Sequence, residues 1–362
     1  MKIEKGIISN TELMFLIIGL LQGSTLTAAF INGIIRQNTW VVLLTGFITT
    51  LILLLVYTSL SQKYPGRNLI EINSGIYGCY FGKIVSILYI FYFWFIVPAN
   101  LRYIADFFSI YLFPETDIIV FIMAITIVCI YTLKKGLEVI ARVGFILTMM
   151  TIVAAILITI FTIKNIRLNN FLPLFQIDSK EFIQGTNLMV CIPFGEIIVF
   201  LMIFPRVNDI KQVRRSALWG LIVGTLYFLS IILGNTAILG NIGFIHAFPS
   251  YQVAKLINIG EIITRMETLI AVMLLFNVFL KTCLFYYATV LSVAQFFKLR
   301  SYKALVIPVG IINIVLAIII YNSPVDQEYE AANIYPIYAI PFIILFPIAS
   351  LLIAHVRNTV QK

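Results

Sequence analysis

Long apolar stretches separated by short polar clusters run along the whole chain. Most of the apolar windows are about 20 residues long, which as a helix is the length that crosses the hydrocarbon core of a bilayer. The pattern therefore predicts an all-α polytopic membrane protein with about ten transmembrane helices. The predicted spans are Thr11–Ile35, Trp40–Ser61, Ile84–Phe113, Asp117–Leu133, Val139–Ile163, Asn187–Pro205, Ser216–Leu239, Thr264–Phe297, Ala304–Tyr321 and Ile334–Val356.

The sixth predicted span contains an interruption near its middle, at Pro193, Phe194, Gly195 and Glu196. Proline removes a backbone donor, glycine relaxes the helix, and a carboxylate at bilayer depth needs a partner. Irregular backbone in a membrane is tolerated only where protein or a water-filled cavity covers it. This segment indicates either a broken helix beside a binding site or a proline kink whose glutamate pairs with a neighbouring helix.

The first predicted span has a second candidate break, where Gln22, Gly23, Ser24, Thr25 and Thr27 cluster between two apolar segments. A break here would offer backbone N–H groups at a half-helix N-terminus, a favourable site for a carboxylate. Small residues in membrane helices also serve close helix packing, so that alternative stays open. The candidate substrate-binding residues are Gly23, Ser24, Thr25, Phe194, Gly195 and Glu196.

The two candidate breaks occupy corresponding positions, the first and sixth spans, if the chain consists of two five-helix halves at 11–163 and 187–356. Broken helices in matching positions point to a 5+5 inverted-repeat transporter fold with its site near the bilayer midplane. We therefore expect residues 1–362 to form a single permease-like transmembrane domain, although the two halves show no clear residue-level repeat.

Composition agrees with a membrane location, since 61% of residues are hydrophobic and 11% are charged. The net charge of +9 does not indicate nucleic-acid binding, because cytoplasmic loops of membrane proteins are rich in Lys and Arg. With a cytoplasmic N-terminus, most basic residues fall in inner segments, which predicts that both termini are cytoplasmic. The outer loops would then hold only Arg36, Lys164, Arg167, Lys180 and Lys255.

Charged residues within the predicted spans are further candidates for function. Arg102 and Asp106 lie four apart on one face of the third span, as a neutralising structural pair or a gating element. Asn277 and Lys281 have the same spacing in the eighth span. An unpaired lysine at that depth is costly, so Lys281 is predicted to be a counter-ion, a proton site or a paired structural charge.

Two loops are predicted to contain short helices. Residues 64–83 suggest an interfacial helix on the cytoplasmic side, and Tyr251–Ile257 suggests an amphipathic helix that either caps an outward-facing cavity or packs against it. The four cysteines lack the spacing of a metal site or disulfide framework. Because no nucleophile–base pair or phosphate loop is present either, the sequence predicts no enzyme, cofactor or metal.

Several motifs resemble those of the B subunits of bacterial spore nutrient-germinant receptors, which are relatives of amino-acid permeases. They are FGEIIVF at 194–200, PRVNDIKQVRR at 205–215, FPS at 248–250 and RME at 265–267. The last two are similar to the W-P-T/S and R-F-E/D elements around the eighth span of that family. One departure lies in the first span, where the family commonly has G-x-G and a proline and this chain has QGSTLT at 22–27.

The resemblance implies the ten-helix, LeuT-like fold of the amino acid–polyamine–organocation superfamily. It also implies a role in sensing a small nutrient, typically an amino acid, together with a larger membrane A subunit and a C-subunit lipoprotein. The expected location is the spore inner membrane or the bacterial cell membrane. Two alternatives stay open: a proton-coupled amino-acid permease, and a scaffold subunit that binds no ligand.

Overall fold

The computed structural model describes residues 6–25, 28–257 and 266–360, with side chains described for 6–25, 31–257 and 266–356. Thr27 and Arg265, which belong to the sequence motifs above, lie outside these ranges. The described chain is helical, apart from loops and an isolated parallel bridge between Ile8 and Val207. That bridge joins the start of the chain to the segment after the sixth span, through hydrogen bonds of 2.9 and 3.0 Å.

Two helices of the first half begin at capping boxes. Ser9 and Glu12 form a reciprocal capping box at the first helix, and Asn68 and Glu71 form another at the fourth. Each box satisfies backbone N–H groups that the first helical turn leaves without partners. The helices are α1 (Asn10–Gly23), α2 (Ala28–Ile35), α3 (Thr39–Lys63), α4 (Leu69–Tyr111), α5 (Ile118–Lys135) and α6 (Leu137–Thr162).

The predicted interfacial helix exists as the N-terminal part of α4 rather than as a separate element. The 43-residue helix bends at Gly78, whose φ of 81° lies in the left-handed region that favours glycine. The residues before this bend form the short segment, and the transmembrane part follows it.

The second half contains more non-α helical backbone than the first. Helix α7 (Ser179–Met189) continues as a π-helical turn (Val190–Phe194) and then as 3₁₀ helix (Gly195–Met202). The remaining helices are α8 (Val213–Leu239), α9 (Pro249–Lys255), α10 (Glu267–Phe296), α11 (Val306–Ile319), α12 (Pro324–Asn333), α13 (Tyr335–Ile340) and α14 (Phe346–Val360).

Within the described residues, eight helices are long and apolar enough to cross a membrane, or nine if α11 and α12, bent by 100°, count as one span. Helix α1 is apolar but only 14 residues long, because it ends at Gly23. The predicted first span is therefore divided between α1 and α2, with residues 26–27 outside the described chain.

Helices α1 and α10 lie at the centre of the bundle, where their side chains are mostly buried. Helix α1 packs closely on α8, since a Cβ at Gly220 would lie 2.9 Å from Ile17 Cβ. Helices α5 and α6 expose apolar side chains such as Ile127 and Ile156 on the outside. A multi-pass membrane protein has this arrangement, because lipid accepts apolar side chains that water would not.

Candidate ligand-binding site

The break in the first span begins where α1 ends at Gly23. The Ser24 N–H donates to Leu21 O at 3.1 Å, and the Thr25 hydroxyl donates to Gln22 O at 2.7 Å. These bonds close the last turn of the helix. Thr25, predicted to bind substrate, therefore caps the end of α1.

The break in the sixth span is a change of helix type rather than a gap. The Gly195 N–H donates to Val190 O, five residues earlier, so the turn that contains Pro193 is π-helical. A proline inside a helix removes one backbone bond, and a wider turn accommodates the pyrrolidine ring. The following residues tighten into 3₁₀ helix, which sets the direction of the Glu196 side chain.

Three buried side chains from different spans meet beside these two segments. Lys281 Nζ of α10 lies 2.7 Å from Glu196 Oε2 and donates to Ser24 Oγ at 3.0 Å. Ser24 Oγ lies 3.2 Å from the same Glu196 oxygen and 3.3 Å from Leu20 O. We call Ser24, Glu196 and Lys281 the charged triad. Its members are at most 3% exposed, and the triad connects the first, sixth and eighth spans.

The triad satisfies the requirement that a buried charge be paired and hydrogen-bonded. Both described partners of Glu196 contact Oε2, so neither occupies Oε1. Glu196 and Lys281 also line a cavity of about 70 Å³. The second carboxylate oxygen is thus an acceptor available at the cavity wall.

Gly23 permits the close approach of α1 and α10 at this cavity. A Cβ at Gly23 would lie 2.8 Å from both Asn277 O and Lys281 Cβ. The Asn277 carbonyl faces Gly23, while its side chain lies next to Tyr227 of α8. Asn277 therefore contributes backbone packing next to the triad rather than a side-chain ligand to Lys281.

Of the six predicted binding residues, Gly23 and Glu196 line the cavity, whereas Ser24, Thr25, Phe194 and Gly195 are not among its lining residues. Phe194 packs on α3, where its ring is 6.5 Å from that of Phe47. Gly195 packs against Ile343, which would lie 2.5 Å from a Cβ at this position. The prediction that Phe194 and Gly195 face the first span is wrong: the change from π to 3₁₀ helix turns them toward the second and last spans, and directs Glu196 toward Ser24.

The walls of the cavity come from elements that the sequence did not single out. Helix α4 provides aromatic and polar residues of the cavity wall. Helix α12 covers the end of the cavity that lies on the opposite side of the bundle from the basic loop before α11. The short segment 249–255, α9, packs on an aromatic cluster with Phe107 and Tyr111 and does not line the cavity. The lining residues are Gly23, Phe95, Ile96, Ala99, Asn100, Tyr103, Ile192, Glu196, Val278, Lys281, Tyr321, Gln327, Glu330, Ala331 and Tyr335.

Helix α12 could have been anticipated from a local signal. Ser323 accepts the Asp326 N–H at 3.1 Å, and Pro324 follows it at the first helical position. A serine cap before proline is a helix start signal. Gln327 and Ala331 then lie four apart on one face of α12, which lines the cavity. Because the surrounding sequence is polar, the hydropathy pattern does not predict that this face is buried.

Arg102 and Asp106 form an ion pair of 3.0 Å that does not line the cavity. The Arg102 guanidinium also donates to Ile318 O and Tyr321 O, at 3.0 and 2.9 Å. It thereby satisfies carbonyls at the end of α11. Of the two predicted roles, this geometry supports the structural pair, which holds α4 against the turn between α11 and α12.

Solved transporters share this fold at low sequence identity. The nucleobase-cation-symport-1 family transporter MHP1, closed with bromovinylhydantoin bound, aligns with a TM-score of 0.67 at 14% identity, over 90% of this chain and 74% of MHP1. A substrate-bound, outward-open Na⁺-coupled sialic acid symporter aligns with a TM-score of 0.60 at 13% identity, over 94% of this chain and 80% of the symporter. The predicted LeuT-like fold is confirmed by this likeness.

Sequence relatives come from Bacillus subtilis (strain 168). Spore germination protein KB is 28% identical over 97% of this chain and 95% of its own length. Spore germination protein YndE is 25% identical over 72% of each chain. The family model described as Spore germination protein matches residues 7–325, which is most of this chain. The chain therefore belongs to the permease-like family of spore germination proteins.

Proposed function

We propose that this chain is the nutrient-binding subunit of a spore germinant receptor, and that it binds a small polar nutrient, an amino acid being the favoured class, to trigger germination. The observation that carries the proposal is the pair of Glu196 and Lys281, which belongs to the charged triad and lines the cavity. Buried ionisable groups inside a membrane bundle are costly and mark ligand or ion pathways by default. Oε1 of Glu196 and the ammonium of Lys281 offer a ligand both an acceptor and a positive charge.

The cavity is small for this role. Ligand pockets typically have volumes of about 300–1,000 Å³, against about 70 Å³ here. We infer that this is a closed state and that the lining helices separate when ligand enters. Helix α12 and the C-terminal end of α1 are the elements whose movement would open the cavity with least disturbance of the bundle.

A second candidate function, a proton-coupled permease, is favoured by the position of Lys281. Sodium-coupled proteins of LeuT-like fold bridge the first and eighth spans with a cation, and here an ammonium lies between Gly23 and Ser24 of the first span and α10. We propose that Lys281 supplies this charge internally. Ligand binding should then be the same in sodium and in potassium buffers, and a requirement for sodium would contradict the proposal.

The proposed receptor also contains a larger membrane A subunit and a C-subunit lipoprotein, as in the germinant receptors that this chain resembles. The chain would lie in the spore inner membrane with both termini in the cytoplasm. A scaffold role, in which this subunit binds no ligand, is the alternative that the experiment must exclude.

The test is thermal unfolding of the purified full-length chain in detergent, with and without candidate nutrients. A ligand that binds only the folded state raises Tm as its concentration exceeds Kd. The Glu196→Gln variant should lose most of this shift because glutamine cannot neutralise Lys281. If no nutrient raises the Tm of the wild-type chain, the scaffold role is favoured instead.

A further inference from the structure

The cavity has a second group of polar side chains, away from the charged triad. They are Asn100 of α4 and Gln327 and Glu330 of α12. Within the described part of the chain, Asn100 Nδ2 and Gln327 Oε1 are buried without a hydrogen-bond partner. Buried polar atoms are nearly always paired, so a donor and an acceptor left open on one cavity wall are unusual.

Gln327 is held in place by its other amide atom. Its Nε2 donates to Ala99 O of α4 at 2.8 Å, and the residue is only 5% exposed. This bond fixes the orientation of the amide and leaves Oε1 as an acceptor without a partner among the described residues. The free acceptor of Gln327 and the free donor of Asn100 thus lie on two elements joined by this contact.

Glu330 adds a negative charge to the same cavity. Its carboxylate accepts the phenol groups of Tyr321 and Tyr338, at 3.1 and 2.8 Å. Among the described residues, no Lys or Arg lies within 4.0 Å of it. Since Glu196 and Lys281 neutralise each other, Glu330 gives the described cavity lining a net negative formal charge.

We propose that Asn100, Gln327 and Glu330 form a subsite that recognises a protonated amine next to an oxygen acceptor on the ligand. The amine donates to Gln327 Oε1 and faces the carboxylate of Glu330, and the ligand oxygen accepts from Asn100 Nδ2. The negative charge excludes ligands that are anionic overall. This inference rests on the proposed function, since it specifies the chemistry of the ligand in the same cavity.

The subsite also explains why α12 would close over a ligand. Gln327 and Glu330 lie three apart on the covered face of α12, while Val325 on the same helix is 73% exposed. A ligand held by this face binds α12 to α4. Recognition of the amine is thereby linked to closure of the cavity.

The experiment measures the thermal stabilisation of the purified full-length chain by defined probes. The amino acids are glycine, L-alanine and L-valine, and each is compared with the hydroxy acid that replaces its amine, namely glycolate, L-lactate and L-2-hydroxyisovalerate. D-Glucose represents an uncharged polyol. The variants are Gln327→Met and Glu330→Gln, and Val325→Ala on the exposed part of α12 is the matched control.

The proposal requires that at least one of the amino acids stabilise the wild-type chain, while the hydroxy acids and glucose do not. Gln327→Met and Glu330→Gln should each weaken the apparent Kd of that amino acid about tenfold, and Val325→Ala should leave it within twofold. Glu330→Gln keeps an acceptor for one of the two tyrosines, while the other phenol must turn to accept from the new amide N–H. The ligand-free Tm of the variant therefore reports whether it is folded.

Two results would overturn the subsite, and they differ in what else they affect. If an amino acid stabilises the wild type and both variants equally, or if glucose or a hydroxy acid is the stabilising probe, the subsite is wrong and the binding function stands. If no probe stabilises the wild type, the proposed binding function fails, and the subsite fails with it.

Discussion

At the scale of single residues, the charges around the cavity are the basis of the ligand chemistry that we propose. Lys281 uses two hydrogen bonds to hold Ser24 and Glu196, and Gly23 allows the backbone of α1 to reach it. A buried ion pair contributes little net stability, yet removal of one partner leaves an uncompensated charge. The same few residues thus determine the packing of α1 on α10 and would, in the proposed function, contact the ligand.

Lys281→Met keeps much of the side-chain volume but leaves Glu196 without a cation. We expect a loss of about 3–5 kcal/mol in the free energy of unfolding, seen as a lower Tm in detergent. The double variant Lys281→Met with Glu196→Gln should recover much of this loss, because no unpaired charge remains. A single variant as stable as the wild type would show that the pair is not structurally coupled.

Gly23→Ala tests the contact between α1 and α10. The new Cβ would lie 2.8 Å from Asn277 O and Lys281 Cβ, so the helices must separate, at a cost of about 1–3 kcal/mol. Gly234→Ala in α8 is the control, since nothing in the described part of the chain lies within 4 Å of a Cβ at this position. That change should be neutral or stabilising because alanine favours helix. Equal Tm values for the two variants would contradict the close approach.

At the scale of helices, the site depends on segments whose backbone departs from regular α-helix. The change from π to 3₁₀ helix after Met189 turns Glu196 toward the first span, and the end of α1 at Gly23 brings Ser24 within its reach. Helix α12, bent by 100° from α11, covers the cavity. Its position depends on Arg102, which binds the carbonyls at the turn between the two helices.

Arg102→Met should therefore destabilise the chain and disturb α12. It leaves Asp106, 7% exposed, without its partner, for which we expect about 3–5 kcal/mol. Arg142→Met is the control, because its pair with Glu138 is solvent-exposed and such pairs contribute about 0–1 kcal/mol. The measurement is the Tm of each purified variant, and a similar small effect for both would reject the structural role of Arg102.

At the scale of the whole molecule, the fold has two faces that differ in basic residues. The loop before α11 carries Lys298, Arg300 and Lys303, and the loop before α7 lies at the opposite end of the sixth span from Arg206. The positive-inside rule assigns the first loop to the cytoplasm. The topology that we propose on this basis places helix α12 on the outer side, from which the proposed nutrient would enter.

This orientation predicts the labelling of single cysteines. In a chain whose exposed Cys79 is replaced by serine, we expect Lys303→Cys to react with a membrane-impermeant maleimide only in inside-out vesicles. Lys180→Cys should react only in right-side-out vesicles. Both positions are exposed in the structure, so accessibility does not limit the reaction. The reverse pattern would invert the proposed topology.

The class of the molecule and most of its helices can be read from the amino-acid sequence. Length, hydropathy and the positions of Lys and Arg depend only on local composition, because lipid forces each apolar segment to satisfy its own backbone as a helix. Pro193 and Gly23 likewise marked the two irregular segments, since both act on the backbone directly. Glu196 and Lys281 were identified as buried charges that need partners.

The partners that these side chains meet depend instead on how the helices pack together. Whether Glu196 or Phe194 faces the first span depends on the rotation introduced by one π-helical turn, and no local pattern specifies that rotation. The pairing of Lys281 with Glu196, 85 residues earlier in the sequence, and the placing of Gln327 over the cavity are long-range contacts. These contacts depend on how whole helices pack, because the partner of each side chain lies on a different helix of the bundle.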